Sequence, residues 1–174
     1  MKKSTTHHLV QLAFMSALAT ILYIFEFPLP GTGLQFDLSD LPVIITGSMF
    51  GFLPAVLVAL IKNIAHLFFL TRNAGLAGEI ANFAFAVLMS VPVSFFKGKN
   101  RYQDIGIAFV TVLFTALIMG FFNYYVTFPL YGMSKVGAWE IINSIYTPFN
   151  LIKGSLLMLF FTLSRPYLDR LIRK

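Results

Sequence analysis

The residues of this sequence that could do chemistry are polar side chains standing inside long apolar runs. Lys62 lies near the middle of one run, with Asn63 beside it and His66 one turn further on. Glu79 and Asn82, three apart, share one face of a helix. Asn123 falls within two turns of the end of another run, and Asn150 and Lys153 are one turn apart in the last. A charge at the centre of a bilayer costs at least ~2.5–3.5 kcal/mol, so each of these groups demands a partner or a task. Amides and ionic groups from separate helices, at one depth among apolar walls, are the composition of a pocket for a polar small molecule.

Structural roles suit some of them equally. Lys62 and Glu79 fit an ion pair, Asn123 a bond to neighbouring backbone, and His66 a hydrogen-bonded packing position. No second histidine or carboxylate stands at ligand spacing from His66, so no metal site is expected. A small intramembrane enzyme would need Lys62, His66 and Glu79 to converge, but no known catalytic spacing is present and no catalytic residue is assigned. No Gly-x-x-x-x-Gly-Lys-Ser/Thr, Gly-x-Ser-x-Gly or His-Glu-x-x-His occurs. A pure assembly subunit, whose polar groups only join helices, is a third class.

The elements that must position these groups are membrane spans. Of 174 residues 57% are apolar and 11% charged, with a mean hydropathy of +0.79. Soluble domains run near ~45–50% apolar and ~25% charged. At roughly 20 residues per helical span, six spans consume most of the chain, so residues 1–174 form a single domain. The segments run from about Leu9 to Phe27, Asp40 to Phe52, Pro54 to Leu70, Gly78 to Phe96, Ile105 to Phe128 and Ile145 to Leu163. Asp40 is a candidate N-cap with Pro42 in the first turn, Pro92 a candidate kink, and Pro129 and Pro166 are stops. The second segment is short for a full span. Lys2 and Lys3 precede a stretch resembling a signal peptide, but the apolar run continues to Phe27 and reads as a first span.

With both termini in the cytoplasm, nine basic residues lie inside: Lys2, Lys3, Lys97, Lys99, Arg101, Arg165, Arg170, Arg173 and Lys174. Only Arg72 and Lys135 lie outside, which satisfies the positive-inside rule. The same placement explains the net charge of +6 without a nucleic-acid partner. Glu26, Asp37, Asp40, Glu79 and Glu140 are expected at or near the outer face. The absence of cysteine excludes disulfides and thiolate chemistry. Ala13/Ala17 and Gly47/Gly51 are small residues four apart, surfaces on which another helix can approach closely.

Four segments carry a family resemblance: Phe36-Asp37-Leu38-Ser39-Asp40-Leu41-Pro42, Ala59-Leu60-Ile61-Lys62-Asn63, Gly78-Glu79-Ile80-Ala81-Asn82-Phe83 and Pro148-Phe149-Asn150-Leu151-Ile152-Lys153-Gly154. The chain resembles the substrate-binding S-component of energy-coupling factor (ECF) vitamin transporters, of the riboflavin type, over nearly its whole length. The resemblance implies an all-α integral membrane bundle of six transmembrane helices with cytoplasmic termini, in a prokaryotic plasma membrane. It implies capture of riboflavin, or its phosphate FMN, from outside, with no covalent cofactor. The partners implied are a transmembrane coupling subunit, docking on Ala13 and Ala17, and two ABC-type ATPases. Asn123 and Lys153 would contact the isoalloxazine and ribityl groups, with Glu79, Asn82, Lys62, Asn63, Asp40 and Asn150 around them. The loop Pro28 to Ser39 would be a lid in which Phe36 or Leu34 covers the ring. An S-component for pyridoxine, hydroxymethylpyrimidine or pantothenate is the alternative within the class.

Overall fold

A computed structural model describes residues 5–69, 75–98 and 100–172. Of the basic residues used for orientation, Lys2, Lys3, Arg72, Lys99, Arg173 and Lys174 lie outside them, as does the side chain of Arg170; Leu70 is outside too. Six helical elements follow in order. They are α1 (Thr5–Ile24), α2 (Asp40–Phe50), α3 (Phe52–Phe69), α4 (Gly75–Phe95), α5 (Arg101–Leu130) and α6, which starts at Ala138 and runs to Ile172. All but α2 are long and apolar enough to cross a membrane. Eleven residues rising 1.5 Å each give α2 about 16 Å, roughly half of a ~30 Å hydrocarbon core.

The apolar character of these helices runs all round, which a helix in lipid permits and a helix in water does not. Phe14, Leu53, Phe68, Phe109, Leu117 and Leu163 are exposed on the outside of the bundle. Inside, Leu12, Ala19, Val43, Ala55, Val58, Ala59 and Ala86 pack α1 to α4 together. Ile44, Phe85, Met89, Val112, Leu157 and Phe161 close α2, α4, α5 and α6. The short α2 is thus the central strut of both clusters.

Between α1 and α2 the chain forms a hairpin instead of a plain loop. Phe27–Pro28 (β1) pairs antiparallel with Gln35–Phe36 (β2), with Phe27 opposite Phe36. The turn between them needs positive φ at Gly31 (+76°) and Gly33 (+68°), where a side chain would be strained.

Three local expectations change. Ser39, not Asp40, occupies the N-cap position of α2, and Asp40 is its first helical residue, its carboxylate drawn to Lys62. Helix α6 does not stop before Pro166 but carries it internally. Arg165 ties this tail to Asp104 and to the carbonyl of Gly98 (3.2 Å), a tertiary anchor that offsets the backbone bond a proline cannot make. Of the Gly47/Gly51 pair only Gly47 makes a helix contact. Gly51, at φ +97°, ends α2 and lets α3 begin one residue later.

At Gly47, α4 comes so close that a β-carbon would lie 2.7 Å from Ser94 Oγ and 3.3 Å from Ser90 O. Gly47→Ala is therefore expected to cost about 1–3 kcal/mol by overpacking, seen as a lower thermal midpoint in detergent. Gly106→Ala, with nothing within 4 Å of the added carbon, should leave that midpoint unchanged or raise it.

Candidate functional site

The centre of the bundle is a charge network. Asp37, Ser39 and Asp40 come from the segment leading into α2, Lys62 from α3, Asn82 from α4 and Lys153 from α6. Lys62 Nζ donates to Ser39 Oγ (2.6 Å), to Asp40 Oδ1 and to Asn82 Oδ1 (2.8 Å). All three of its protons are used, and the side chain is fully buried. Lys153 Nζ lies 2.9 Å from Asp37 Oδ2 and 3.0 Å from Asp40 Oδ2. Two ammonium groups thus meet two carboxylates, and the network is neutral.

Its local geometry follows from the sequence Asp37-Leu38-Ser39-Asp40. The Asp37 carboxylate accepts from the backbone N–H (2.8 Å) and the hydroxyl of Ser39, an Asx-turn that feeds the chain into α2. Burial alone would raise the carboxyl of Asp37. Lys153, Lys62 and the Ser39 hydroxyl outweigh it and hold Asp37 ionised, well below the usual carboxylate range. Asp37 and Asp40, expected at or near the outer face, have their side chains inside the protein. They are buried where the chain re-enters the bundle, because each must reach a lysine.

A cavity of about 410 Å³ opens beside Lys153, between the hairpin and α1, α4, α5 and α6. That volume lies within the ~300–1,000 Å³ range of small-molecule sites. Tyr23, Phe85, Tyr131, Tyr146 and Phe149 supply aromatic wall, with Met119, Met133 and Leu34. Asn82, Asn123, Thr127, Asn150, Asp37 and Lys153 supply polar groups. Asn150 Nδ2 and Thr127 Oγ1 are buried there without a protein hydrogen-bond partner, which leaves them free to bond a ligand. Two widened, π-helical turns border the cavity: Asn123–Thr127 in α5 and Ile142–Tyr146 in α6. Such turns re-aim side chains and recur at functional sites.

A second cluster adjoins it. His66 Nδ1 lies 2.6 Å from Glu79 Oε1 and His66 Nε2 3.6 Å from Glu26 Oε2. The His66 ring stacks on Tyr23 at 3.6 Å, and the Tyr23 hydroxyl donates to Glu79 Oε2 (3.3 Å).

Of the residues singled out from sequence, Asn82, Asn123, Asn150 and Lys153 line the cavity. Lys62 and Asp40 stand behind its wall as a pair, so the Lys62–Glu79 ion pair is not formed; Glu79 turns to His66 and Tyr23 instead. Asn63 bonds the carbonyl of Ala59 (2.8 Å) and Phe36 is half-buried in the hairpin; neither lines the cavity, whereas Leu34 does. Ala13 and Ala17 are exposed on α1. Sequence reasoning passed over Asp37 and the aromatic wall. Asp37 had a signal, since two buried lysines need two buried acids. The aromatics had none, because rings facing lipid and rings facing a cavity look alike in sequence.

Apolar helices turned outward around an open cavity of aromatic and polar side chains define a multi-pass membrane protein with room for a small molecule. Over residues 7–164 the sequence matches the family described as ECF transporter, substrate-specific component, and the chain belongs to that family. It is a transport component, not an enzyme. It is 31% identical over 169 residues to the riboflavin transporter FmnP of Bacillus subtilis (strain 168), covering 89% of this chain and 88% of that protein. It is 30% identical over 167 residues to the riboflavin transporter RibU of Staphylococcus aureus (strain TCH60), covering 89% and 86%. A solved S component of a bacterial ECF transporter superimposes with a TM-score of 0.82 at 26% identity, covering 98% of this chain and all of that one.

Lys62→Met leaves the two buried carboxylates of Asp37 and Asp40 with Lys153 as their one ammonium partner in the network, so a loss of about 3–5 kcal/mol is expected for the uncompensated charge, read as a fall in thermal midpoint. Adding Asp40→Asn should recover part of that loss, since it restores one carboxylate to one ammonium.

Proposed function

We propose that this chain is the riboflavin-binding subunit of an ECF-type ABC importer, capturing the vitamin from outside the cell for delivery to the cytoplasm. The observation that carries the reading is the cavity itself: five aromatic side chains with Asn82, Asn123, Asn150 and Lys153 among them. A flavin is a flat ring system for aromatic walls, with a uracil-like edge of alternating donors and acceptors for amides and hydroxyls for an ammonium. Two relatives at about 30% identity carry riboflavin in their names. The neutral charge network suits the uncharged vitamin better than its phosphate, FMN, which would bring two negative charges to a site without a surplus cation.

The other terms of the proposal follow from the class. The basic residues favour cytoplasmic termini, which puts the hairpin and the cavity mouth on the outer side of a prokaryotic plasma membrane. The chain carries no nucleotide-binding motif, so energy comes from partners: a transmembrane coupling subunit, meeting the small-residue face at Ala13 and Ala17, and two ABC-type ATPases.

The test is an absorbance spectrum of the detergent-purified protein, followed by riboflavin titration read by quenching of the flavin's fluorescence. Saturable quenching is expected. Asn123→Ala should weaken it about tenfold, and Lys153→Ala by at least about tenfold, as for lost hydrogen bonds from an amide and a charged group. Leu117→Ala, on the lipid side of α5, should change nothing. A protein that ignores riboflavin but binds another vitamin would reassign the ligand within the class.

A further inference from the structure

Where α5 ends and α6 begins, a group of aromatic rings and one lysine lies on the outside of the bundle. Tyr124 stacks on Trp139 with ring centroids 4.9 Å apart, and Phe121 meets the same indole edge-on at 5.5 Å. Lys135, from the loop 131–137, holds its ammonium 5.4 Å from the centre of the Tyr124 ring and 5.6 Å from that of Tyr125. Phe121, Tyr125, Lys135 and Trp139 are all exposed. Below them on α5, Leu113, Leu117, Phe121 and Tyr125 follow at four-residue intervals, and every one is exposed, so an apolar stripe runs along the helix up to the lysine.

A loop joining two spans stands at the height of the lipid headgroups, where tryptophan and tyrosine concentrate. The group there is built to donate. The Lys135 ammonium, the Tyr125 hydroxyl and the Trp139 indole N–H are all donors, and none has a hydrogen-bond acceptor among the described residues. Nor does Lys135 form an ion pair with any described carboxylate, Glu140 included. Its contacts with the two rings hold the charge in one place without neutralising it. An anion seated on that charge, with a hydrocarbon chain laid along the stripe beneath, satisfies both features at once. A free phosphate or an acidic peptide satisfies only the first. A zwitterionic headgroup brings its own cation, which Lys135 repels.

We propose that Lys135, Tyr125 and Trp139 bind the headgroup of an anionic phospholipid, with its phosphate on the ammonium and an acyl chain along Phe121, Leu117 and Leu113. The same loop lends Tyr131 and Met133 to the cavity wall, so the lipid lies against the outside of the ligand site. The proposal is independent of which ligand that cavity holds.

Trp139 is the single tryptophan of the chain and reports from the site itself. The full chain is reconstituted in phosphatidylcholine vesicles containing an equal mole fraction of either phosphatidylglycerol or phosphatidylcholine brominated on its upper acyl chain, and quenching of the indole fluorescence is measured. Phosphatidylglycerol is expected to occupy the site about fivefold better than phosphatidylcholine, the preference that one lysine confers at an anionic lipid surface. Lys135→Gln should abolish that preference and Lys135→Arg should keep it. Arg101→Gln, at the opposite end of α5, should leave it unchanged, which separates a site from the general attraction of a chain of net charge +6 for anionic lipid. Equal quenching by the two lipids overturns the proposal, as does a preference that survives in Lys135→Gln. Weak quenching by both also overturns it, because the rings are then covered by protein, such as a second copy of this chain.

Discussion

Two lysines must be accommodated inside a bundle otherwise built of apolar side chains, and most of the architecture follows from how that is done. An ammonium group in such surroundings is tolerable only beside an anion. Asp37 and Asp40 supply the two anions, and Lys62 and Lys153 reach them from α3 and α6. To bring both acids to the lysines the chain must turn back into the bundle after α1. That is why α2 starts at the network, spans only about half a bilayer, and sits at the centre of two packing clusters.

The two lysines then divide the labour. Lys62 spends all three protons on Ser39, Asp40 and Asn82 and is a structural member. Lys153 holds two carboxylate oxygens and still borders the cavity. The cavity is thus built against one face of a neutral ionic cross-brace, which fixes its polar floor without giving it a net charge. The π-helical turns of α5 and α6 supply the opposite wall, aiming Asn123, Thr127 and Tyr146 into it. Close packing is reserved for other places, such as the approach of α2 to α4 at Gly47.

The hairpin has polar contacts at each end, Asp37 with Lys153 on one side and Glu26 against His66 on the other. Between them it is two short strands and a glycine turn, with little apolar burial of its own. A roof tethered at its ends and lightly packed between them is the part of the molecule best able to move, since local opening costs least where few contacts must break. A substrate-specific transport component that must take in its substrate and later give it up has need of such a part, while the bundle beneath it stays intact.

The membrane spans, the polar residues within them and the family were legible in the sequence. These are properties of local windows: hydropathy over about 20 residues, and the cost of a charge inside such a window. Asn82, Asn123, Asn150 and Lys153 could be picked out that way because each stood alone among apolar neighbours. Pairings were not legible. Lys62 chose Asp40 over Glu79, Glu79 went to His66, and Lys153 met Asp37 across 116 residues of chain. The burial of Asp37 and Asp40, the helical passage through Pro166, and the choice of which tyrosines and phenylalanines face the cavity were also set only in the folded bundle. The physical reason is that burial cost is a property of one residue, whereas its compensation is a property of a pair. Only the three-dimensional arrangement decides which partner arrives.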